Sequence, residues 1–341
     1  MKQRFWFSLV ITKTKLKLAG IIVAIIFSLL AGPKVVEFFQ RQIYGVKQGV
    51  TLEGYLLAGL LERELYDAIS ELAEQRIVEA RNAKWNWDNG TVEVEQVGMV
   101  VDIDATIKRI LQAGPNTDHK FVTVPVLPSI TKEHFKPYYN GPTIEPKVCI
   151  MINVDWGNEF IPSMLETLEQ YDVVATWFPT GRWAKESPAL ARMIADHGHE
   201  IGNHGGWHGM PSQMSADEVR RLILEGEEAI MNATGQKPNI FAPPAGDFNS
   251  QTVAVAAELG YKTVLWTVDT IDWQRPAPTV IIDRVIGKVS NGALILMHPT
   301  QPTAEALPII IEQLLNKGYQ LVTVSEKLSD KGNKIKKINE T

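Results

Sequence analysis

From Lys147 onward the chain alternates short apolar runs with longer amphipathic stretches, the pattern of βα units laid around a parallel sheet or barrel. Predicted strands are Val148 to Val154, Val173 to Phe178, Glu200 to Gly202, Asn239 to Ala242, Thr263 to Trp266, Ala293 to Met297 and Gln320 to Val324. About seven strands of this kind imply an α/β fold and suggest a (β/α) barrel. The helices between them have readable starts. Ser187-Pro188 sets an N-cap before a proline at the first helical position, and Ser215-Ala-Asp-Glu218 is a capping box. Val219, Leu222, Ile223, Gly226 and Ile230 then form one apolar stripe that runs up to Thr234-Gly235.

Upstream the pattern is mixed. Gly49 to Gly59 reads as short strands and turns, and Glu62 to Ala80 as an amphipathic helix with Leu65, Ile69, Leu72 and Ile77 on one face. Val92 to Val97 and Met99 to Ile103 alternate like strands, Ala105 to Ala113 reads as a second helix, and Phe121 to Val126 has a strand's composition. At the N-terminus, Lys2, Arg4, Lys13, Lys15 and Lys17 precede an uncharged apolar run from Leu18 to Ala31. Fourteen residues is short against the roughly 20 that span a bilayer, but no small-x-small cleavage site follows and Val35 to Tyr44 continues helically. The expectation is an uncleaved signal anchor, with the alternative a cleaved export signal. The positive-inside rule then places everything after about residue 35 outside the cytoplasm. The expected domains are a cytoplasmic stub and anchor at 1–34, a smaller α+β domain at 35–145, the βα domain at 146–328 and a polar tail at 329–341.

Composition narrows the partners. The 341 residues are 45% hydrophobic and 21% charged with a formal net charge of -5, which excludes the basic footprint of a nucleic-acid-binding protein. The single cysteine, Cys149, lies inside an apolar run and is expected to pack as a small hydrophobe.

The chemistry gathers at predicted strand ends, where parallel βα folds carry their reactive groups. Asp155 ends the first strand, and His204 and His208 follow the third in Gly-Asn-His-Gly-Gly-Trp-His, residues 202–208. The intervening glycines argue for a tight loop in which both imidazoles turn to one point, a spacing that suits a zinc-class divalent ion. Ala242-Pro-Pro-Ala-Gly246 follows the fourth strand, Asp269-Thr-Ile-Asp272-Trp273 the fifth, and His298 ends the sixth. Any one of these residues is explicable as a cap or a satisfied core group. Their convergence on one rim points to a site.

The order of these motifs, with Ala175-Thr-Trp-Phe178 and Gly198-His-Glu-Ile-Gly-Asn-His204, resembles the polysaccharide deacetylases of carbohydrate esterase family 4, the NodB homology domain, over about residues 147–328. Ile152-Asn-Val-Asp-Trp-Gly-Asn-Glu159 and Met297-His298-Pro-Thr300 are most similar to its sporulation-type, membrane-anchored subgroup. Residues 46–135 weakly resemble a peptidoglycan-binding module, with a plain spacer as the alternative. The family resemblance implies a hydrolase that removes N-acetyl groups from cell-wall glycan with the help of a divalent metal, zinc by expectation. It implies His204 and His208 as metal ligands, Asp155 as general base and His298 as general acid. It further implies a distorted (β/α) barrel, the Ala245 backbone N–H as oxyanion donor, Trp273 as a wall of the acetyl pocket and Asp272 as a supporting group one layer back from it. Trp156 and Trp207 are candidate sugar-stacking faces.

This chain departs from the pattern. Trp156 stands where the family has its third metal ligand, an aspartate, and Ala242 replaces the arginine that orients the catalytic carboxylate; Gly205 replaces a Ser or Thr that braces the metal loop. Two readings of Asp155 stay open. As base, it leaves the metal with two protein ligands; as third ligand, it leaves only Glu159 or Asp269 as base. Three functions follow: metal-dependent deacetylation at reduced strength, glycan binding without turnover, or metal-free hydrolysis by Asp155 and His298.

Overall fold

The structure, a computed structural model, describes residues 13–329. The basic residues Lys2 and Arg4, and the predicted tail beyond Ser329, lie outside the described residues. One compact unit holds the chain up to Arg81 together with Gln96–Leu127; a second holds Asn82–Glu95 and the chain from Pro128 onward.

In the first unit a helix spans Lys13–Tyr44, and its Leu16–Tyr44 portion is long and apolar enough to cross a membrane, with mean hydropathy 2.2. Beyond it, Val50, Leu52, Leu65, Ile69, Ile107 and Ile110 form a core between short strands and the helices Glu62–Glu74 and Ile103–Leu111. The first of these helices stops at Glu74, six residues before the predicted end at Ala80. After Leu72 the i, i+3/i+4 spacing meets Arg76, and Val78 pairs instead with Met99 in a β-bridge, which leaves Ile77 exposed.

The second unit contains the predicted βα pattern. Its strands are β1 (Lys147–Val154), β2 (Thr176–Pro179), β3 (Glu200–Ile201), β4 (Ile240–Phe241), β5 (Lys262–Thr263), β6 (Val268–Asp269), β7 (Leu294–Met297) and β8 (Gln320–Leu321). The main sheet runs β3-β2-β1-β7-β6, with β8 beside the start of β1, and every ladder in it is parallel. A bridge from Asn203 to Phe241 carries the path on to the β4-β5 pair. No ladder joins β5 to β6 among the described residues, so the predicted barrel does not close by strand pairing there. The gap is spanned by an upstream segment: Tyr138 pairs with Val264, and Asn140 pairs with Ala293. The predicted strand Thr263 to Trp266 is cut short: β5 ends at Thr263, Val264 bridges to Tyr138, and the next strand, β6, starts only at Val268.

Strand alternation sorts β1 into two faces. Val148, Ile150, Ile152 and Val154 face helices α1 (Ile161–Gln170) and α7 (Gln301–Asn316) in the larger core. Cys149 and Met151 point into the interior with Phe178, Ala242 and Leu294, as expected for a thiol that packs as a hydrophobe. Two residues further along this inward face come Asn153 and then Asp155, so the period of two that builds the core also delivers Asp155 to the rim.

The helices begin where the caps indicate. The Ser215 hydroxyl accepts from the Glu218 amide at 3.3 Å, and the Glu218 carboxylate accepts from the Ser215 amide at 2.8 Å, opening the helix Ala216–Thr234. Pro188 starts the helix Pro188–Asp196, although the Ser187 hydroxyl accepts from the Asn158 side chain rather than capping it.

Candidate active site

A cavity of about 390 Å³ opens at the C-terminal ends of the strands. Of the residues singled out in the sequence, it gathers Asp155, Trp156, His204, His208, Ala245, Asp269, Trp273 and His298. Asp272 lies fully buried just behind His298. Trp207 does not reach the cavity; it packs beside Leu222, and the Arg221 guanidinium sits 5.6 Å from its ring centroid. Glu159 is also outside the lining.

The half of the site around His298 is complete. Asp272 Oδ1 accepts from His298 Nδ1 at 2.8 Å, and Oδ2 accepts from the His298 amide and the Thr303 hydroxyl, both at 2.6 Å. These three bonds satisfy a buried carboxylate and fix the imidazole with Nδ1 as the donor, leaving Nε2 for proton exchange. The Trp156 indole stacks on the His298 ring, with centroids 6.0 Å apart and planes 9° from parallel. Gly157 makes this possible: its φ is +86°, and a Cβ there would lie 2.1 Å from the Pro299 carbonyl oxygen. The loop carrying Trp156 is thereby pressed against the segment that follows His298.

The histidine loop is built as the glycines imply. Gly205 adopts φ +84°, its amide donates to Asn203 Oδ1 at 2.7 Å, and a Cβ would crowd Leu222 at 3.0 Å. A serine or threonine at this position would strain the backbone, which accounts for the glycine. His204 Nδ1 donates to the Ala242 carbonyl at 2.7 Å and so presents Nε2. Burial, reinforced by His208 and His298, outweighs that hydrogen bond and pushes the His204 imidazole down to about 3, which keeps it neutral. His208 lies against it edge-on with centroids 5.5 Å apart.

Two imidazoles are the start of a metal site, but the donor set ends there. Trp156 offers no ligand, and Asp155 is already committed: Oδ1 accepts from the Thr180 hydroxyl at 2.6 Å and Oδ2 from Arg182 Nη2 at 2.5 Å. Among the described residues no group of three or more His, Cys, Asp or Glu is placed to hold a metal ion. The residues present therefore do not fit a three-ligand catalytic metal.

Arg182 and Thr180 are the functional neighbours that the sequence did not reveal. The orienting arginine missing at position 242 has a counterpart that arrives from the start of the helix Gly181–Glu186, after β2. Thr180 caps that helix by accepting from the Trp183 amide at 3.2 Å and turns its own hydrogen toward Asp155. The available signal was positional: Thr180-Gly-Arg182 immediately follows a strand whose neighbour ends in Asp155. Backbone strain also concentrates at the site. Ala245 has φ +56° and Ile271 φ +52°, the latter in a β-branched residue between Asp269 and Asp272.

Fold and rim together define an α/β protein with a polar, aromatic-walled site at the C-terminal ends of its parallel strands, and comparison with known proteins gives the family. The family model described as polysaccharide deacetylase matches residues 141–264. The uncharacterized protein YlxY of Bacillus subtilis is 40% identical over 272 residues, covering 78% of this chain and 84% of YlxY. A peptidoglycan-N-acetylglucosamine deacetylase of Bacillus cereus is 33% identical over 197 residues, 56% of this chain and 72% of that protein. Among solved structures, BA3943 of Bacillus anthracis, described as a carbohydrate esterase family 4 pseudoenzyme, is 36% identical with TM-score 0.57, covering 78% of this chain and 95% of that one. A BA3943 mutant described as having restored enzymatic activity matches at 35% identity and TM-score 0.57, over 78% of this chain and 98% of that one. The chain belongs to the polysaccharide deacetylase family, hydrolases that act on amide bonds and are generally metal-dependent.

Proposed function

We propose that this protein binds N-acetylated peptidoglycan glycan in the rim cavity and turns it over poorly or not at all. It is a member of the deacetylase family in which a sugar-binding aromatic has replaced a metal ligand. The observation that carries this reading is Trp156, 40% exposed, which stacks on His298 and lines the cavity together with Trp266 and Trp273. Indole faces are favourable platforms for the apolar face of a pyranose ring. A site with two imidazoles and no third ligand holds a divalent ion weakly. The resemblance to a pseudoenzyme over most of both chains supports the same reading. The apolar N-terminal helix fits a single-pass anchor that keeps the cavity on the extracytoplasmic side, where peptidoglycan lies.

A second reading has its own support. The Asp272–His298 pair and the carboxylate of Asp155 held by Arg182 and Thr180 retain the proton-transfer groups of a hydrolase. In that reading slow deacetylation persists, with Asp155 as base, His298 as acid and the Ala245 N–H facing the developing oxyanion.

Titration of the full chain in detergent with tetra-N-acetylchitotetraose, followed by an assay of released acetate, separates the two. Binding without acetate release is the expected result. Acetate release that His298→Ala abolishes would establish the second reading, and absence of both binding and release would overturn the first.

A further inference from the structure

Asn153 is a polar residue in a layer that packing would fill with an apolar one. It follows Cys149 and Met151 on the inward face of β1, and those two belong to an apolar core with Phe178 and Leu294. Asn153 is 4% exposed, and its side-chain oxygen is buried with no hydrogen-bond partner, yet the residue borders the cavity. Buried acceptors in folded proteins are nearly always paired, because an unpaired one loses its hydration without compensation. Such an orphan, facing a cavity, is the signature of an atom held ready for a ligand donor.

Other carboxylates and imidazoles of the site have partners for some or all of their polar atoms, whereas Asn153 Oδ1 is, among the described lining residues, the buried side-chain acceptor with none. Asp155 is bonded through both oxygens, to Thr180 and Arg182, and Asp272 through both oxygens, to His298 and Thr303. His204 spends Nδ1 on the Ala242 carbonyl. The cavity that Asn153 borders sets the apolar walls Trp156, Trp266, Trp273 and Leu296 beside the imidazoles of His204, His208 and His298 and the carboxylates of Asp155 and Asp269. A ligand that enters between these walls must bring an apolar body and one hydrogen-bond donor at its buried end. An N-acetylated amino sugar has both, since its amide N–H is a donor that carries no charge between the apolar walls.

We propose that Asn153 is a specificity-determining residue of this chain, accepting the amide N–H of an acetamido group through its side-chain oxygen. The proposal rests on the glycan-binding reading above and names the atom that selects N-acetylated over unsubstituted sugar. Cellotetraose, in which each acetamido group is a hydroxyl, fills less of the cavity and offers no amide. Because the oxygen has no partner in the folded chain, removing it leaves the fold undamaged.

The test is titration of the full chain in detergent with tetra-N-acetylchitotetraose and with cellotetraose, for wild type and Asn153→Leu, which is similar in shape but apolar. Thermal unfolding is measured in parallel, and Asn153→Val serves should the leucine variant fail to fold. The expected result is an affinity for the acetylated tetramer reduced about tenfold, unchanged weak binding of cellotetraose, and a thermal midpoint equal to or above that of wild type. Equal affinity of variant and wild type, alongside loss of binding in Trp156→Ala, would overturn the role of Asn153 and leave the glycan-binding site standing. A lower thermal midpoint accompanying the lost affinity would mark Asn153 as structural and overturn it as well. No binding by wild type would overturn both this proposal and the reading on which it rests.

Discussion

At the scale of single residues, the site divides into groups that were legible and groups that were not. His204, His208, Asp272 and His298 stand out because imidazoles and carboxylates at strand ends have few other uses, and the structure brings all four to one rim. Arg182 was hidden because an exposed arginine on a short helix is chemically ordinary, and only the fold shows that it reaches Asp155. Trp156 decides the chemistry. Trp156→Asp puts a carboxylate in the cavity that the histidine pair also lines, and bound zinc measured by elemental analysis is expected to rise from well below one to near one per chain. Acetate release from chitooligosaccharide should appear with it, because a third ligand completes the set that a catalytic metal needs. Adding Arg182→Ala to that variant should keep the zinc and lower acetate release about tenfold or more, because Asp155 loses its ion-pair partner. The same change should alter stability by less than about 1 kcal/mol, since the guanidinium is 54% exposed. Zinc near one per chain in the wild type would contradict this assignment of Trp156.

At the scale of elements, periodicity located the helices and most of the strands, and it failed where pairing partners change. The helix predicted to reach Ala80 ends at Glu74 because Val78 is recruited by Met99, a contact distant in sequence. The strand predicted over Thr263 to Trp266 stops after Val264 because its partner there is Tyr138 from an upstream segment, which also pairs through Asn140 with Ala293. Neither event leaves a mark on local hydrophobicity. Local signals that do persist are the caps: Ser215→Ala removes the acceptor for the Glu218 amide and is expected to cost about 1 kcal/mol in a denaturant titration. His199, just before β3, makes the element scale sensitive to pH. It is 3% exposed and its Nδ1 accepts from the Ala175 amide at 3.3 Å. Burial, with a smaller contribution from His197, pushes it from 6.5 down to about 4. Its folded form is neutral where the unfolded form takes a proton, so its contribution to stability is complete above 6.5 and declines as pH falls toward 4. The loss is on the order of 3 kcal/mol. Thermal midpoints measured from pH 7 to 4 should fall across that window, and less so in His199→Gln; identical pH profiles for variant and wild type would refute the assignment.

At the scale of the whole molecule, an apolar helix, a small α+β unit and a deacetylase-family unit are joined in one chain. The full chain is expected to stay with membranes through an alkaline carbonate wash, whereas a chain starting at Gly45 should be released; release of the full-length protein would argue for a cleaved signal. The family was legible from motif order alone, because its motifs sit at strand ends whose sequence the fold constrains. Whether the site holds a metal or only a sugar was not, because that depends on which way Asp155 and Trp156 turn. Glycan recognition by the proposed site is expected to need no metal. Calorimetric titration of the full chain in detergent with tetra-N-acetylchitotetraose, before and after exhaustive dialysis against EDTA, should give the same affinity in both conditions. Binding that disappears with the chelator and returns with added zinc would overturn the metal-free reading of the site.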